Sequence, residues 1–346
     1  MKKSDIRNVI GESILADGMS PIIDLEKSHG SWLVDKVSGK EYLDLFSMFA
    51  SLSVGYNHPY VLEQADRLKI AAINKPTNSD VYSQEMAEFV HTFKRVAQPD
   101  YLPLAFFIEG GGLAVENALK AAFDWKRRKN LAKGCSAKGE KVIHFKQCFH
   151  GRTGYTMSLT DSPDKRKTMY FPKFDWPRVT NPKITFPMEQ NLEHIIELEK
   201  KAISEIKDAI AANPDNIASI IIEPIQGEGG DNHFRCKFMQ SLREIADEND
   251  IILIYDEVQT GVGITGKMWA HQHFTPSLCP CDKTIEKEPL PDIISFGKKS
   301  QVCGILAGDR VLEANKLCSS IVSKIILNLI ISVKFPPKVE FILLDL

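Results

Sequence analysis

No charge of one sign dominates this sequence: 43 lysines and arginines stand against 45 aspartates and glutamates, for a formal net charge of −2. That balance leaves no electrostatic footprint for nucleic acid or an anionic membrane surface, so small molecules are the expected substrates. An uninterrupted apolar segment is also missing behind the first two lysines, where the chain reads MKKSDIRNVI. A secretory leader is therefore not expected, and a cytoplasmic location is the default. The seven cysteines (Cys135, Cys148, Cys236, Cys279, Cys281, Cys303 and Cys318) form no framework. They are odd in number and scattered through a chain too long to need stapling, so all are expected to be reduced. Cys279 and Cys281 follow His271 and His273, yet the spacing fits no standard zinc module and no metal site is expected. A membrane span is lacking too, because Lys324 interrupts the apolar stretch after Cys318 before it reaches the ~20 residues a span needs.

What is present is material for a large core, 43% hydrophobic over 346 residues. Short apolar runs rich in β-branched residues alternate with longer helical patterns, which is the mark of βαβ units around a mostly parallel sheet. Strands are expected at Leu104–Ile108, Lys141–Phe145, Ile217–Ile222, Ile251–Tyr255 and Asp292–Phe296. Apolar residues recur at helical spacing in Leu113–Arg128, Leu192–Ala212 and Lys237–Glu248, which supply the crossover helices. Ser162–Pro187 is rich in proline and aromatics without periodicity and reads as an ordered surface excursion. Each strand ends in a polar or glycine-containing segment, and open α/β sheets bind ligands beyond the carboxyl ends of their strands.

Two of those ends carry the strongest chemical signal. Asp256 closes the run IILIY, and a carboxylate there is costly to bury unless something cationic meets it. Lys298 follows Gly297 at the end of PDIISF, where a desolvated lysine can act as a nucleophile; on composition alone Lys299 competes for that role. Separately, each residue is as readily a structural ion pair or a solvated strand end. The third feature is Glu109-Gly110-Gly111-Gly112-Leu113, glycines between a strand and a helix. Such a segment can bring backbone amides and a helix N-terminus to a phosphate, although tight turns explain most glycine clusters.

Taken together, EGGGLAVENALKAAFDWKRR, FHGRTGYTMSLT, FPKFDWPR, EPIQGEGGDNHFR, DEVQTGVGITG and FGKKSQVCG resemble the class III pyridoxal-phosphate-dependent aminotransferases, and among them those acting on the ε-amino group of lysine. The resemblance runs in order from the N-terminus to about Glu313. It implies an α/β fold of the fold type I class, with a large domain built on a mostly parallel sheet and crossover helices. Residues 1–60 would be an N-terminal segment and 61–316 the large cofactor-binding domain. By the same resemblance, Lys298 would hold pyridoxal 5′-phosphate as a Schiff base and Asp256 would pair with its pyridinium nitrogen. Gly111 and Gly112 would meet the phosphate, Phe149 would stack on the ring, and Gln259 would lie beside the phenolic oxygen and the substrate. Arg152 would hold the α-carboxylate of the amino acid, and Glu228 would act as a switch between lysine and 2-oxoglutarate. Glu223 would support the loop. Aminoadipate semialdehyde and glutamate would be the products, and a homodimer the assembly. The 4-aminobutyrate aminotransferases share the FDWP and EGGDNH segments and are the rival within the class. NKPTNSD from Asn74 and QVCG from Gln301 favour the lysine enzymes.

Two departures from the family pattern stand out. An insertion lies between Trp269 and Pro291. After Glu313 no counterpart is found to the phosphate-binding threonine or to the C-terminal small domain, and residues 317–346 read as an aberrant apolar tail. The expectation is a chain lacking its small domain and impaired, or catalytically dead, as a result.

Overall fold

The computed structural model describes residues 2–74, 81–275 and 288–313. The apolar tail, Cys279 and Cys281, most of the insertion and all but the first residue of NKPTNSD lie outside them. Two compact units divide the chain, Met1–Asn74 and Lys75–Leu346. The first unit holds α1 (Ile6–Gly11), the antiparallel pair β1 (Trp32–Val34) and β2 (Glu41–Leu43), and α2 (Ser47–Ala50), α3 (Pro59–Glu63) and α4 (Ala65–Ile73).

In the second unit the order is α5 (Gln84–Val96), β3 (Leu104–Ile108), α6 (Gly111–Ala132), β4 (Lys141–Phe145), α7 (Thr156–Leu159), β5 (Arg178–Val179), α8 (Met188–Ala212), β6 (Ile217–Ile222), β7 (Ile225–Gln226), β8 (Asn232–His233), α9 (Cys236–Glu248), β9 (Ile252–Asp256), β10 (Ile293–Phe296) and β11 (Cys303–Ala307). Seven strands form one sheet in the order β3-β11-β10-β9-β6-β4-β5. Only β11 runs against the rest, antiparallel to both β10 and β3. The carboxyl ends of β3, β4, β6, β9 and β10 therefore share one rim of the sheet.

Period-two alternation divides the core between the two faces of this sheet. Leu253 and Tyr255 of β9 join Ile220, Ile222, Phe145, Ile294 and Phe296 in one apolar cluster, with Leu242 and Ala246 of α9. Ile252 and Ile254 turn the other way, into a cluster with Ala218, Ile221, Ile293 and Ala114, Ala118, Leu119 and Ala122 of α6. Alanines on α6 let that helix approach the strands closely. On α8 the buried positions are Ile195, Glu199, Ala202 and Ile206, a single stripe at helical spacing that leaves the opposite side to solvent. With each fully buried Ile or Leu contributing about 1.5–3 kcal/mol, the double covering makes the strands of the rim a rigid base for polar groups.

The sequence reading named none of the elements of the first unit, and in the second the structure adds α5, α7, β5, β7, β8 and β11 to those it named. The excursion 162–187 is irregular apart from a 3-10 turn at Lys165–Lys167 and the two residues of β5, which pair in parallel with β4. One thiol differs from expectation. Cys236, at the start of α9, is disulfide-bonded, whereas Cys135, Cys148 and Cys303 are free. Pairing depends on three-dimensional proximity, which spacing along the chain does not report.

Candidate active site

Asp256 ends β9 with a carboxylate only 4% exposed. Its burial is offset by three donors. Oδ1 accepts from Ser295 Oγ at 2.9 Å and from the Val258 backbone amide at 3.1 Å, and Oδ2 lies 2.7 Å from His150 Nδ1. Ser295 stands opposite Asp256 in the β9–β10 register, so the sheet itself aims that hydroxyl. The His150 ring is fully buried, and its Nε2 has no hydrogen-bond partner among the described residues. Burial opposes charge on this imidazole, but the neighbouring Cys148 and Asp256 overcome it and raise the His150 pKa well above the usual value.

The loop after β4 is braced from several sides. The Phe149 amide donates to Glu223 Oε1 at 2.8 Å, and the His150 amide donates to Thr160 Oγ1 at 3.1 Å. Glu223, at the end of β6, supports the loop as expected. Burial, reinforced by the charge on Asp256, pushes its carboxyl up to about 7, partly countered by His150 and by amide donors. Phe149 is held half-buried.

Lys298 follows the extended Gly297 and takes a left-handed backbone, φ 55°. Its Nζ donates to Gln259 Oε1 at 2.9 Å. Burial lowers its pKa against the pull of three carboxylates, Asp256, Glu223 and Glu228. Lys299 is more buried and donates to the Gln259 carbonyl at 2.6 Å; burial and the charge of Lys298 lower its pKa to about 8. Gln259 fills space that only a glycine leaves open, since a Cβ on Gly227 would stand 2.5 Å from its Cδ.

The glycine loop closes this group of residues. Gly110 adopts φ 97°, and α6 begins at Gly111. A Cβ at Gly111 would lie 2.8 Å from Val258 Cγ1, and one at Gly112 would lie 3.2 Å from Thr153 Cγ2. These two glycines therefore seat the amino end of a 22-residue helix against both the Asp256 turn and the Phe149 loop. The first amides of such a helix lack intrahelical partners and carry its positive dipole end.

The structure thus gathers Asp256, Lys298, Gln259, Gly111, Gly112 and Phe149 through shared contacts at one rim. It treats the two remaining expected residues differently. Arg152 lies on the Phe149 loop but is exposed, with no ion pair among the described residues. Glu228 is also exposed and faces Lys167 Nζ at 3.8 Å. Sequence reading missed His150, Ser295 and Lys167, and weighed Lys299 only as a rival to Lys298. Ser295 carried a signal, being the one polar residue in the wholly buried strand Ile293–Phe296.

These residues fit pyridoxal phosphate. A glycine cradle at a helix start suits a phosphate, a buried carboxylate suits a protonated ring nitrogen, and a lysine of lowered pKa suits an aldehyde.

Comparison with known proteins agrees with this fit. The model of the class III aminotransferase family matches residues 14–324. An L-lysine-epsilon aminotransferase of Mycobacterium tuberculosis is 47% identical over 312 residues, which is 89% of this chain and 66% of that protein. A 4-aminobutyrate aminotransferase of Emericella nidulans is 33% identical over 317 residues, 86% of this chain and 61% of that protein. Among solved structures, a lysine aminotransferase of M. tuberculosis superposes with a TM-score of 0.84 at 46% identity, covering 91% of this chain and 70% of its own. The chain spans about two thirds of the length of the lysine-enzyme relatives it matches.

Proposed function

The chain belongs to the class III aminotransferases, and from that premise we propose that it transfers the ε-amino group of L-lysine to 2-oxoglutarate, giving 2-aminoadipate 6-semialdehyde and glutamate. Pyridoxal 5′-phosphate, the cofactor of the family, supplies the electron sink that makes the substrate carbon acidic. Lys298 is the residue to carry it. The observation behind that choice is the Lys298 amine, half-buried, hydrogen-bonded to Gln259 and placed in the field of Asp256.

Each residue then has a task its surroundings support. Asp256, held by Ser295, Val258 and His150, keeps a proton on the ring nitrogen. Gly111 and Gly112 present amides to the phosphate, and Phe149 covers a face of the ring. Gln259 donates or accepts beside the phenolic oxygen and bounds the substrate. The Lys298 amine would be the base that moves the proton at the reacting carbon, a role that its lowered pKa suits. Arg152, exposed and unpaired by any carboxylate of the described residues, offers its planar fork to the substrate α-carboxylate. Glu228 is the switch between the substrates, as the family resemblance implies: it neutralises a second substrate-binding arginine when lysine is bound and moves aside for glutamate.

The preference for lysine over 4-aminobutyrate follows the relatives, 47% against 33% identity. No helix of the described residues is long and apolar enough to cross a membrane; we assign the protein to the cytoplasm and to a homodimer. The test is the visible spectrum with pyridoxal phosphate before and after borohydride, alongside Lys298→Ala, followed by glutamate formation from 2-oxoglutarate with lysine or 4-aminobutyrate as donor. A borohydride-sensitive band absent from the variant, with lysine the better donor, is expected. Turnover of 4-aminobutyrate in preference to lysine would replace the substrate assignment, and a band unchanged in the variant would remove Lys298 from its role.

A further inference from the structure

Two neighbouring ammonium groups close on one glutamine. Lys298 reaches the side-chain Oε1 of Gln259 at 2.9 Å, and Lys299 reaches its main-chain carbonyl at 2.6 Å. Successive residues of a regular strand point to opposite faces and could not do this. The left-handed backbone at Lys298 and the 3-10 turn Lys298–Ser300 bring both side chains to the same residue. Gln259 has little freedom to escape, because its amide lies against Gly227, where even a Cβ would collide. Lys299 is 4% exposed, and a buried lysine not needed for packing alone is costly to keep.

We propose that Lys299 is a positioning residue for the amine of Lys298, held there to fix Gln259 by its main chain. The proposal rests on the reading of Lys298 as the cofactor lysine. Around Lys298 the charged groups are otherwise carboxylates: Asp256, Glu223 and Glu228 all favour the protonated amine, while burial disfavours it. The repulsion of Lys298 falls on Lys299, which burial and that charge bring down to about 8 while Glu257 opposes the loss, so Lys299 gives up its proton first. Its hold on Lys298 is therefore geometric: the bond to the Gln259 carbonyl keeps the glutamine amide in reach of the Lys298 amine.

The test uses the full chain freed of cofactor and mixed with pyridoxal phosphate and borohydride across the neutral and alkaline range, with peptide mapping to locate the label. The amine condenses with the aldehyde and water leaves; hydride then adds to the carbon, and a stable secondary amine remains. Wild-type protein is expected to be labelled on Lys298. In Lys299→Met the plateau rate of labelling at Lys298 should fall several-fold as Gln259 loosens. Lys299→Gln keeps a donor for the Gln259 carbonyl, so its plateau should return towards wild type, a rescue that a merely structural role would not give; Lys299→Ala serves if the Met variant does not fold. A donorless variant with native circular dichroism and an unchanged plateau, or a Gln variant as slow as the donorless one, would overturn the proposal. Wild-type label on Lys299, or on neither lysine, would instead overturn the assignment of Lys298, and the proposal with it.

Discussion

The site has two ends, and they are built differently. At the cofactor end Asp256 and Glu223 are each 4% exposed; both carboxylates accept from backbone amides, and Asp256 also meets the Ser295 and His150 side chains. At the substrate end Glu228 and Lys167 have side chains 38% and 41% exposed and meet at 3.8 Å, while Arg152 stands exposed. A buried polar group must be satisfied in place, so each partner at the cofactor end is fixed by the fold before any ligand arrives. An exposed pair can part at little cost because water replaces the lost contact. That is the behaviour required of groups that must accommodate two substrates of different charge in turn. The contrast predicts that perturbations at the cofactor end appear in folding as well as in chemistry, whereas those at the substrate end leave folding alone.

Asp256→Ala should show the largest effect. It removes the acceptor for Ser295, Val258 and His150 at once and leaves a buried imidazole without either partner. Breaking a buried pair of this kind costs about 3–5 kcal/mol, measurable by urea unfolding of the cofactor-free protein. A cost below about 1 kcal/mol would show that the cofactor end is no more tightly held than the surface.

Glu223 comes next, through pH. Its folded-state pKa of about 7 lies above the ordinary value of 4.5. Folding therefore favours the protonated carboxyl: the stabilisation is complete below the unfolded pKa and is lost as pH rises through the folded one. The difference amounts to roughly 3 kcal/mol. Glu223→Gln, neutral at every pH, should lose that part of the slope, so the gap in stability between wild type and variant should change between about pH 5 and pH 8. Parallel stability curves would mean that Glu223 is ionised throughout.

How much of this was legible depends on whether neighbours lie along the chain or across the sheet. The limits of β3, β4 and β6 follow from their apolar runs, with β9 displaced by one residue and β10 starting one residue later than expected, because a strand buried on both faces stands out from its polar flanks. The run Cys303–Ala307 is equally apolar, yet the sequence reading names no element there, and nothing local signals its reversed direction. Asp256, Lys298 and the glycines were visible because strand ends advertise them. His150 was not, since its partner lies 106 residues away. Lys299 had been weighed only as a rival to Lys298; its hold on the Gln259 carbonyl depends on a left-handed turn that sequence does not disclose.

Smaller effects sharpen the comparison. In Gly111→Ala the new methyl would stand 2.8 Å from Val258 Cγ1, so one side chain of the Asp256 turn must shift. About 1–2 kcal/mol of stability should be lost, as for other overpacked sites, together with weaker retention of pyridoxal phosphate on dialysis. Gly112→Ala, at 3.2 Å from Thr153, should do less. If the two variants were equal, the contact with Val258 would not be what seats the helix start.

Lys167→Ala tests the opposite end. The pair it breaks is long and largely solvated, so stability should change by less than about 0.5 kcal/mol. Its effect belongs instead to binding: with Glu228 relieved of a cation the substrate end becomes more negative, which favours the cationic lysine and disfavours the dianionic 2-oxoglutarate. The KM for lysine should fall and that for 2-oxoglutarate should rise, each by less than tenfold, since a solvated charge at this distance contributes at most about 1 kcal/mol. A loss of more than about 2 kcal/mol of stability would mean that the substrate end is wired as firmly as Asp256. The distinction between a fixed cofactor end and a yielding substrate end would then fail at the residue where it is easiest to break.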